Sequence, residues 1–466
     1  MPSGLVIDAL GAAFALDLSR LTPLQCAAVR EAWSGAVPRG AVPGVPQILP
    51  VEPGDDTSVV LARLSQRVTR AAIDRRGGDG WMLHAAAVAD ETGAVVVLVG
   101  GSGAGKTTAV RALGRRWAYV TDETVFIDPA GGVAPYRKPL SVVRALGAAK
   151  AQVSPDAEGL RALPPAPLRV AALVLLDRQA APCAPTLLAE DLSDALPLLV
   201  AQSSHLADMD RPLQMIARVA HGVGGIFRLR YAEASDLEPT LERLTSAAVS
   251  HSHPLPPSAP PDGGDPSGPT SAGSLAAAAA AREPRYARAP FTDALTLGPR
   301  TAVLSAGQVT VLDGIAPAVW QAAATPATLP QLAAAAVERH GVPDDEHAVT
   351  LATRAAVATL VDAGLLCRAP GWRIRSDVAW TGARRRYVAL SLEDLHAPHP
   401  VALEGTAGAI WGALAESPGI DEHTLARTVA RDFAADPALI VGDVAAFLRQ
   451  LADARLVELC AGEPDG

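Results

Sequence analysis

Hydrophobic and polar positions follow two different periods along the first 248 residues of the chain. "AVVVLV" (94–99) and "AALVLLD" (171–177) are continuous apolar runs, a pattern typical of strands buried on both faces. "LTPLQCAAVREAWSGAV" (21–37) and "TTAVRALGRR" (107–116) instead space their apolar residues as amphipathic helices do. Strand, helix and strand in succession predict an α/β or mixed α+β domain.

Proline, glycine and serine replace this pattern after residue 248. The segment "SHSHPLPPSAPPDGGDPSGPTSAGS" (250–274) has almost no apolar side chains to bury, so residues 249–290 are predicted to form a disordered linker. Near its end, "LAAAAAAREPRYAR" (275–288) favours a short helix that stops before Pro284.

The chain after the linker repeats itself at an offset of 91 residues. "VLDGIAPAVWQAA" (311–323) aligns with "ALEGTAGAIWGAL" (402–414), and "LVDAGLL" (360–366) aligns with "LADARLV" (451–457). Two anchors with the same offset indicate a tandem duplication. Each copy is predicted to form two short strands and three helices, the outline of a small winged-helix unit. The tryptophan that each first helix carries is expected to be a core residue.

Composition restricts the classes of function. The chain has 466 residues and a net charge of −9, which argues against nucleic-acid binding because that function usually needs a basic surface. No run of about 18 uncharged apolar residues is present, and the N-terminus lacks a basic start and contains Asp8 and Asp17. A cytoplasmic protein without a membrane partner is therefore predicted. The four cysteines lie far apart and form no metal-binding or disulfide pattern.

The segment "GGSGAGKT" (100–107) fits the phosphate-binding pattern G-x-x-x-x-G-K-[ST] without a mismatch. Its glycines let backbone N–H groups surround phosphate oxygens, and the helix that follows points the positive end of its dipole at them. A buried strand precedes the loop, as the motif requires. The sequence thus predicts an ATP site. Its candidate residues are Gly100, Gly101, Ser102, Gly103, Ala104, Gly105, Lys106, Thr107 and Thr108.

Two acidic residues follow the loop after one helix and one returning strand. Asp122 and Glu123, in "WAYVTDETVFID", are expected to lie near the phosphates, where one carboxylate binds Mg²⁺ and one takes a proton. With the Thr107 hydroxyl, they form the candidate Mg²⁺ ligands. Which of the two acids is the base stays open. Asp177 also ends an apolar strand, but an ordinary strand-end position is favoured for it.

Lysine is rare in this chain. Of 40 basic residues only Lys106, Lys138 and Lys150 are lysine, so a retained lysine suggests a need for a compact ammonium group. Lys138 follows Arg137 in "APYRKPLSV", and phosphate contact is predicted for it, with an exposed loop position as the alternative. His84, in "WMLHAAAVADETG", is by itself more typical of a core residue.

The order of "LHAAAV", "GGSGAGKTT", "YVTDE" and "YRKPL" resembles the HPr serine kinase family, whose fold is similar to that of phosphoenolpyruvate carboxykinase. The resemblance covers roughly residues 80–245. It implies that His84 is an active-site histidine, that Lys106 and Thr107 contact phosphate and Mg²⁺, and that Asp122 is the general base. Glu123 stands where the family has a second aspartate, a departure that shifts or weakens metal ligation.

The two C-terminal repeats resemble PqqD-like peptide-recognition domains, which bind the leader of ribosomally made, modified peptides. The resemblance implies that the leader adds as a strand to a sheet edge and packs on the third helix. The second copy departs from the first, because Arg455 replaces Gly364 and because Ala402 and Glu404 alter the strand. This raises the alternative that the second copy serves only to support the first.

The predicted fold class is an α/β (mixed α+β) P-loop kinase domain of the HPr kinase type with two C-terminal winged-helix PqqD-like domains. The predicted regions are an N-terminal α+β subdomain (1–75), a nucleotide-binding domain (76–248), the linker (249–290), the first winged helix (291–370) and the second (371–466).

The leading functional hypothesis is an ATP- and Mg²⁺-dependent kinase. Its substrate would be a serine or threonine hydroxyl of a precursor peptide whose leader binds residues 291–466, as in lasso-type tailoring kinases. One alternative is a kinase for a small molecule or a carrier protein. Another is a non-catalytic, ATP-switched scaffold that presents the peptide to another enzyme of the same pathway. DNA binding is disfavoured because residues 300–466 hold more acids than arginines. Whether the chain forms a homo-oligomer is left open.

Overall fold

The computed structural model describes residues 4–38, 40, 44–142, 151–248, 284–341, 346–393 and 399–460. Within these residues the chain divides into two compact units. The first unit comprises the described residues up to 248 together with 291–311, and the second comprises 284–290 together with the residues from 312 on. Most of the predicted linker, and the predicted helix before Pro284, lie outside the described residues.

The strands are numbered in chain order. They are β1 (Gly4–Ala9), β2 (Ala12–Asp17), β3 (Gln47–Pro50), β4 (Trp81–Leu83), β5 (Ala85–Ala89), β6 (Ala94–Val99), β7 (Ala118–Thr121), β8 (Val125–Ile127), β9 (Val133–Ala134), β10 (Leu140–Val142), β11 (Ala151–Val153), β12 (Arg169–Arg178), β13 (Thr186–Glu190), β14 (Ser203–Ser204), β15 (Ile226–Tyr231), β16 (Arg285–Arg288), β17 (Asp293–Leu297), β18 (Arg300–Ser305), β19 (Gln308–Leu312), β20 (Ala327–Thr328), β21 (Leu366–Arg368), β22 (Gly371–Ile374), β23 (Val378–Ala383), β24 (Arg386–Ser391), β25 (Val401–Glu404) and β26 (Val457–Cys460).

The α-helices are numbered in the same way. They are α1 (Pro23–Ala32), α2 (Thr57–Arg76), α3 (Lys106–Leu113), α4 (Leu192–Ala201), α5 (Pro212–Gly222), α6 (Glu238–Ala248), α7 (Ala316–Ala322), α8 (Leu329–His340), α9 (Glu346–Asp362), α10 (Gly405–Glu416), α11 (Glu422–Phe433) and α12 (Pro437–Asp453). Throughout the described part of the chain, none of these helices is both long and apolar enough to span a membrane.

The N-terminal layer is a three-stranded sheet, β1-β2-β3, covered by α1 and α2. Leu10 and Gly11 form the two-residue turn of the β1–β2 hairpin and both have positive φ, 56° and 76°, as a type I′ turn requires. A capping box between Thr22 and Gln25 begins α1, and the Asp56 side chain caps α2. The predicted helix of 21–37 ends early, at Ala32, and a short 3₁₀ turn follows it.

Asp8 lies beside this hairpin turn, where its Oδ1 accepts a hydrogen bond from the Gly11 N–H at 2.8 Å. Burial raises the pKa of Asp8 from 3.8 to about 6, against the lowering effects of that hydrogen bond and of the Arg76 charge. The carboxyl of Asp8 therefore ionises at a lower pH in the unfolded state than in the folded state. The free energy of unfolding falls as the pH rises from 3.8 to about 6, because only the unfolded state gains the more favourable ionised form there.

Replacing Asp8 with Asn is therefore expected to stabilise the protein above pH 6 and to have little effect near pH 4. Each pKa unit corresponds to about 1.4 kcal/mol, and the partial exposure of the side chain reduces the gain to about 1–2 kcal/mol. Thermal unfolding of Asp8→Asn and wild type at roughly pH 3.5 and pH 8, below and above this window, measures it. An equal difference in melting temperature at the two pH values would contradict the assignment.

The central sheet of the first unit has six strands in the order β13-β15-β12-β6-β5-β7. β6 lies between β12, to which it is parallel, and β5, to which it is antiparallel. Side chains of β6 alternate between two apolar cores, with Val95 and Val97 on one face and Val96 and Leu98 on the other. The predicted strands at 94–99 and 171–177 are thus confirmed. The predicted helix of 107–116 is one turn shorter, because Gly114 follows Leu113.

The described C-terminal residues contain two similar runs of elements, of which only the first has a strand, β20, between its first two helices. In the first repeat four strands, β16 to β19, precede helices α7, α8 and α9, and β21 follows them; in the second, β22 to β25 precede α10, α11 and α12, and β26 follows. Arg285–Arg288 form β16 and pair with β20 and β21, although the sequence analysis assigned these residues to the linker. That assignment was wrong, since pairing with Leu366–Arg368 is a long-range contact that local composition does not show.

The two repeats bury their sheets against different partners. The sheet of the first repeat, β17-β18-β19, belongs to the first unit, and its Ala302 and Leu304 are part of the core that includes α4 and α5. Asp293 Oδ2 accepts hydrogen bonds from the N–H groups of Leu213 and Gln214 at the start of α5, at 2.8 and 3.3 Å. The sheet of the second repeat, β23-β24-β25, packs instead on the helices of its own repeat.

Candidate functional site

Strand register brings the candidate residues to one edge of the central sheet. Ala85, the first residue of β5, pairs with Val99 at the end of β6, and Ala87 pairs with Thr121 at the end of β7. Leu175 near the end of β12 also pairs with Val99. The residues next to these strand ends are His84, the loop 100–107, Asp122–Glu123 and Asp177.

The phosphate loop has the backbone that its sequence predicts. Gly103 and Gly105 have φ of 81° and 87°, and Gly105 is the N-cap of α3. A Cβ on Gly105 would lie 2.9 Å from the Tyr231 hydroxyl, so only glycine fits there without a shift. Left-handed glycines before a helix N-terminus turn consecutive N–H groups toward one point, and this arrangement fits a phosphate group.

Lys106 begins α3 and its side chain folds back over the loop. The Nζ atom donates hydrogen bonds to the carbonyl oxygens of Gly100 at 2.6 Å and Gly101 at 3.3 Å. Burial lowers the pKa of the Lys106 ammonium group, and the negative charge of Glu123 acts in the opposite direction. The register of β5 with β6 and β7 places the loop lysine and the acid pair at the same edge of the sheet.

The acid pair is held by a tyrosine and a lysine. The Tyr119 hydroxyl donates a hydrogen bond to Asp122 Oδ1 at 2.9 Å, and Lys138 Nζ lies 2.9 Å from Glu123 Oε2 and 3.9 Å from Asp122 Oδ1. Burial, together with the charge of Asp122, raises the pKa of Tyr119 well above its usual value, so its hydroxyl stays a donor. Lys138 is 5% exposed, and its single positive charge offsets part of the charge of the buried Asp122 side chain and the partly exposed Glu123 side chain.

Arg137, the neighbour of Lys138, has a structural role. Its guanidinium donates to the carbonyl oxygens of Tyr119 and Arg161 and forms an ion pair with Asp156 at 2.7 Å. These bonds fix the segment from which Lys138 reaches the acids. The predicted exposed-loop alternative for Lys138 is wrong, whereas its phosphate contact stays a prediction.

The candidate metal ligands lie on two adjacent elements. Thr107 is exposed in the first turn of α3, and Asp122 and Glu123 follow β7. In the described ranges no group of three or more His, Cys, Asp or Glu side chains could hold a metal ion. A hydroxyl and one or two carboxylates nevertheless suit Mg²⁺, which keeps several of its waters.

His84 and Asp177 have different surroundings. His84 is exposed, so the interpretation as a core histidine is wrong, and its catalytic role stays a prediction. Its backbone N–H donates to the Gln202 carbonyl oxygen at 2.6 Å. Asp177 forms an ion pair with Arg230 at 3.4 Å and accepts a hydrogen bond from Gln179 Nε2 at 2.7 Å. These contacts agree with an ordinary strand-end residue.

Sequence analysis missed two residues beside the phosphate loop. The Tyr231 hydroxyl donates to the Ala104 carbonyl oxygen at 3.3 Å, and the Arg178 side chain would contact a Cβ at Gly105 at 3.6 Å. Both residues lie on neighbouring strands of the central sheet, β15 and β12. No local motif marks them, because only strand pairing brings them to the loop.

Comparison with known proteins identifies part of the second repeat. Residues 386–457 match the family described as Coenzyme PQQ synthesis protein D (PqqD). They form a PqqD-like domain, a type of domain that binds precursor peptides of ribosomally made, modified products. The match lies in the second repeat, which the sequence analysis regarded as the departing copy. No curated protein matches the chain.

Proposed function

We propose that this protein is an ATP-dependent kinase that phosphorylates a serine or threonine hydroxyl of a ribosomally made precursor peptide. The observation that carries the proposal is that the phosphate loop, Lys106 and the Asp122–Glu123–Lys138 cluster lie at one edge of the central sheet. The same chain carries a PqqD-like domain, which accounts for the choice of a peptide as the acceptor.

The transfer has a simple balance of atoms. The acceptor oxygen attacks the γ-phosphorus of ATP, the bond from that phosphorus to the bridging oxygen breaks, and ADP leaves. Asp122 takes the proton of the hydroxyl, and Lys106 stabilises charge on the β- and γ-phosphates. Mg²⁺ held by Thr107, Asp122 and Glu123 would neutralise part of the phosphate charge. The resemblance to HPr serine kinases supports these roles.

The cluster around Asp122 suits a positioned base. Tyr119 donates to one carboxylate oxygen and Lys138 lies on the same side, so the orientation of Asp122 is fixed by two neighbours. Glu123 takes the shorter contact with Lys138, which leaves Asp122 as the acid more available for a proton. Positioning of this kind is what phosphoryl transfer requires, since it needs little covalent chemistry from the protein.

The second repeat is the proposed leader-binding domain. Its β25 is an edge strand of the β23-β24-β25 sheet in the described residues, so it can accept a further strand from a peptide. A leader held there raises the local concentration of the acceptor segment to about the millimolar range. Weak direct contacts at the phosphate loop are then sufficient.

Intact mass spectrometry tests the function. The protein is mixed with Mg²⁺–ATP and the short peptide encoded beside its gene, with and without the leader. We expect a gain of about 80 Da per transferred phosphoryl group, and faster transfer to the peptide that carries the leader. Leader binding without any gain in mass would instead favour the ATP-switched scaffold, and absence of both would favour a small-molecule or carrier-protein acceptor.

A further inference from the structure

A groove borders the acid pair on the side of helix α2. It has a volume of about 790 Å³, and Glu123 and Lys138 contribute to its lining. One face of α2 forms a long wall, on which the lining residues recur at helical spacing. Representative members of this wall are Ser58, Ala62, Ser65, Thr69 and Ile73. We call this site the α2 groove.

One lining residue outside α2 has a buried acceptor oxygen that makes no hydrogen bond to the described residues. Gln152 on β11 donates from Nε2 to Ser141 Oγ at 2.8 Å, which directs its Oε1 away from that bond. Gln152 Oε1 is buried and makes no hydrogen bond within the described residues. A buried acceptor without a donor is costly, and such groups in proteins usually have a partner. Because Gln152 lines the groove, its side-chain amide is a candidate partner for an N–H group of a ligand.

The dimensions suit an extended peptide. The lining residues run from Ser58 to Asp74 along α2, a length of about 24 Å at 1.5 Å per residue. A peptide in extended conformation rises about 3.3 Å per residue, so about seven residues fit along the groove. The Thr69 hydroxyl and the Tyr136 hydroxyl are 2.7 Å apart, which holds α2 against the segment that carries Lys138.

We infer that the α2 groove binds the acceptor segment of the precursor peptide in extended form and delivers its hydroxyl to the acid pair. This inference rests on the proposed kinase function. The lining combines small and polar side chains with the apolar Val59 and Ile73 and the charged Arg70 and Asp74. Gln152 Oε1 would accept a backbone N–H of this segment. The leader is held elsewhere, by the PqqD-like domain.

A filled groove tests the inference. Ala62→Trp places a large side chain in the groove, and Arg63→Trp places the same side chain on an exposed position of α2 that does not line it. With a peptide that lacks the leader, we expect Ala62→Trp to raise KM at least tenfold, while the Kd for ATP stays within twofold of wild type. Arg63→Trp should match wild type in both. Equal peptide KM values for the two variants would overturn the inference.

Gln152 provides a second and gentler test. Gln152→Leu removes the acceptor and is expected to raise the KM for the same peptide several-fold, whereas Gln152→Glu keeps an acceptor at this position and should change it less. A change in the Kd for ATP without a change in peptide KM would assign the groove to the nucleotide and reject the inference.

Direct binding separates this inference from the kinase proposal. Fluorescence anisotropy of the labelled leaderless peptide needs no phosphoryl transfer. Peptide binding that Ala62→Trp weakens, in a protein that transfers no phosphate, would support the groove and reject the kinase. Phosphoryl transfer together with unchanged peptide binding in Ala62→Trp would support the kinase and reject the groove. Absence of any peptide binding to the wild-type protein would also reject the groove.

Discussion

Asp122→Asn is expected to lower the rate of phosphoryl transfer to the peptide by about 10²–10⁴-fold while nucleotide binding remains. Asparagine has nearly the same size and still accepts the hydrogen bond that the Tyr119 hydroxyl donates to Asp122 Oδ1. It cannot take a proton from the acceptor hydroxyl, so the loss falls on the chemical step. Single-turnover transfer with saturating ATP and peptide measures that step.

Asp90→Asn is the matched control for this substitution. Asp90 lies in the turn between β5 and β6, at the opposite end of the strands whose other ends flank the acid pair, and it accepts bonds from Thr92 and Ala94. It should leave the transfer rate unchanged. If Glu123→Gln lowers the transfer rate more than Asp122→Asn does, Glu123 is the base. The longer distance from Lys138 to Asp122 than to Glu123 would then not identify the acid that takes the proton.

Trp411→Ala is expected to lower the free energy of unfolding of the second unit by about 3–5 kcal/mol and to remove the advantage of the leader. Trp411 is 0% exposed and packs edge to face with Trp380, at 6.3 Å between ring centroids. The same core cluster contains Leu403 of the edge strand β25, so loss of this packing disturbs the proposed peptide-binding edge. Calorimetry measures the unfolding, and kcat/KM with and without the leader measures recruitment.

Phe433→Ala controls for loss of an aromatic side chain in the same repeat. Phe433 is 43% exposed and lies under the Arg385 guanidinium, so its removal should cost less than about 1 kcal/mol. We compare the proteins at a temperature between the melting points of the second unit in Trp411→Ala and in wild type. There, the Trp411→Ala protein should phosphorylate the full precursor no faster than the leaderless peptide. Retention of the leader's effect under those conditions would show that the second repeat does not recruit the peptide.

The elements that local patterns describe were predictable from the sequence. The run 94–99 coincides with β6, and the motif at 100–107 has the glycine conformations that a phosphate loop needs. The acid pair was predicted from the length of one helix and one strand, and Lys138 from the rarity of lysine. In each case the signal lay within a short stretch of chain or in composition.

Contacts between distant segments were not predictable. The α2 groove depends on a helix that precedes the acid pair by about fifty residues, and nothing in its sequence marks it as part of the site. The Tyr231 contact with the phosphate loop depends in the same way on the order of strands in the sheet. Hydrophobic periodicity identifies such elements without giving their neighbours.

One of the departures that raised the alternative of a purely supporting second repeat, Arg455 in place of Gly364, does not change the turn. Gly364 and Arg455 occupy corresponding turns, and both adopt positive φ, 67° and 58°. Arginine in this conformation carries some strain, and an ion pair between Arg455 and Glu393 at 2.6 Å accompanies it. The turn is therefore retained, in agreement with the PqqD match to this repeat.

The division of the first repeat between the two units has a consequence for the order of synthesis. Ala302 and Leu304 belong to the core of the first unit, yet they are translated more than fifty residues after Ala248, the last residue of α6. At about 5–20 residues per second, this delay is roughly 3–11 seconds. Throughout that time part of the apolar surface around α4 and α5 is without its covering sheet. The first unit is thus completed only after β17 and β18 have been made.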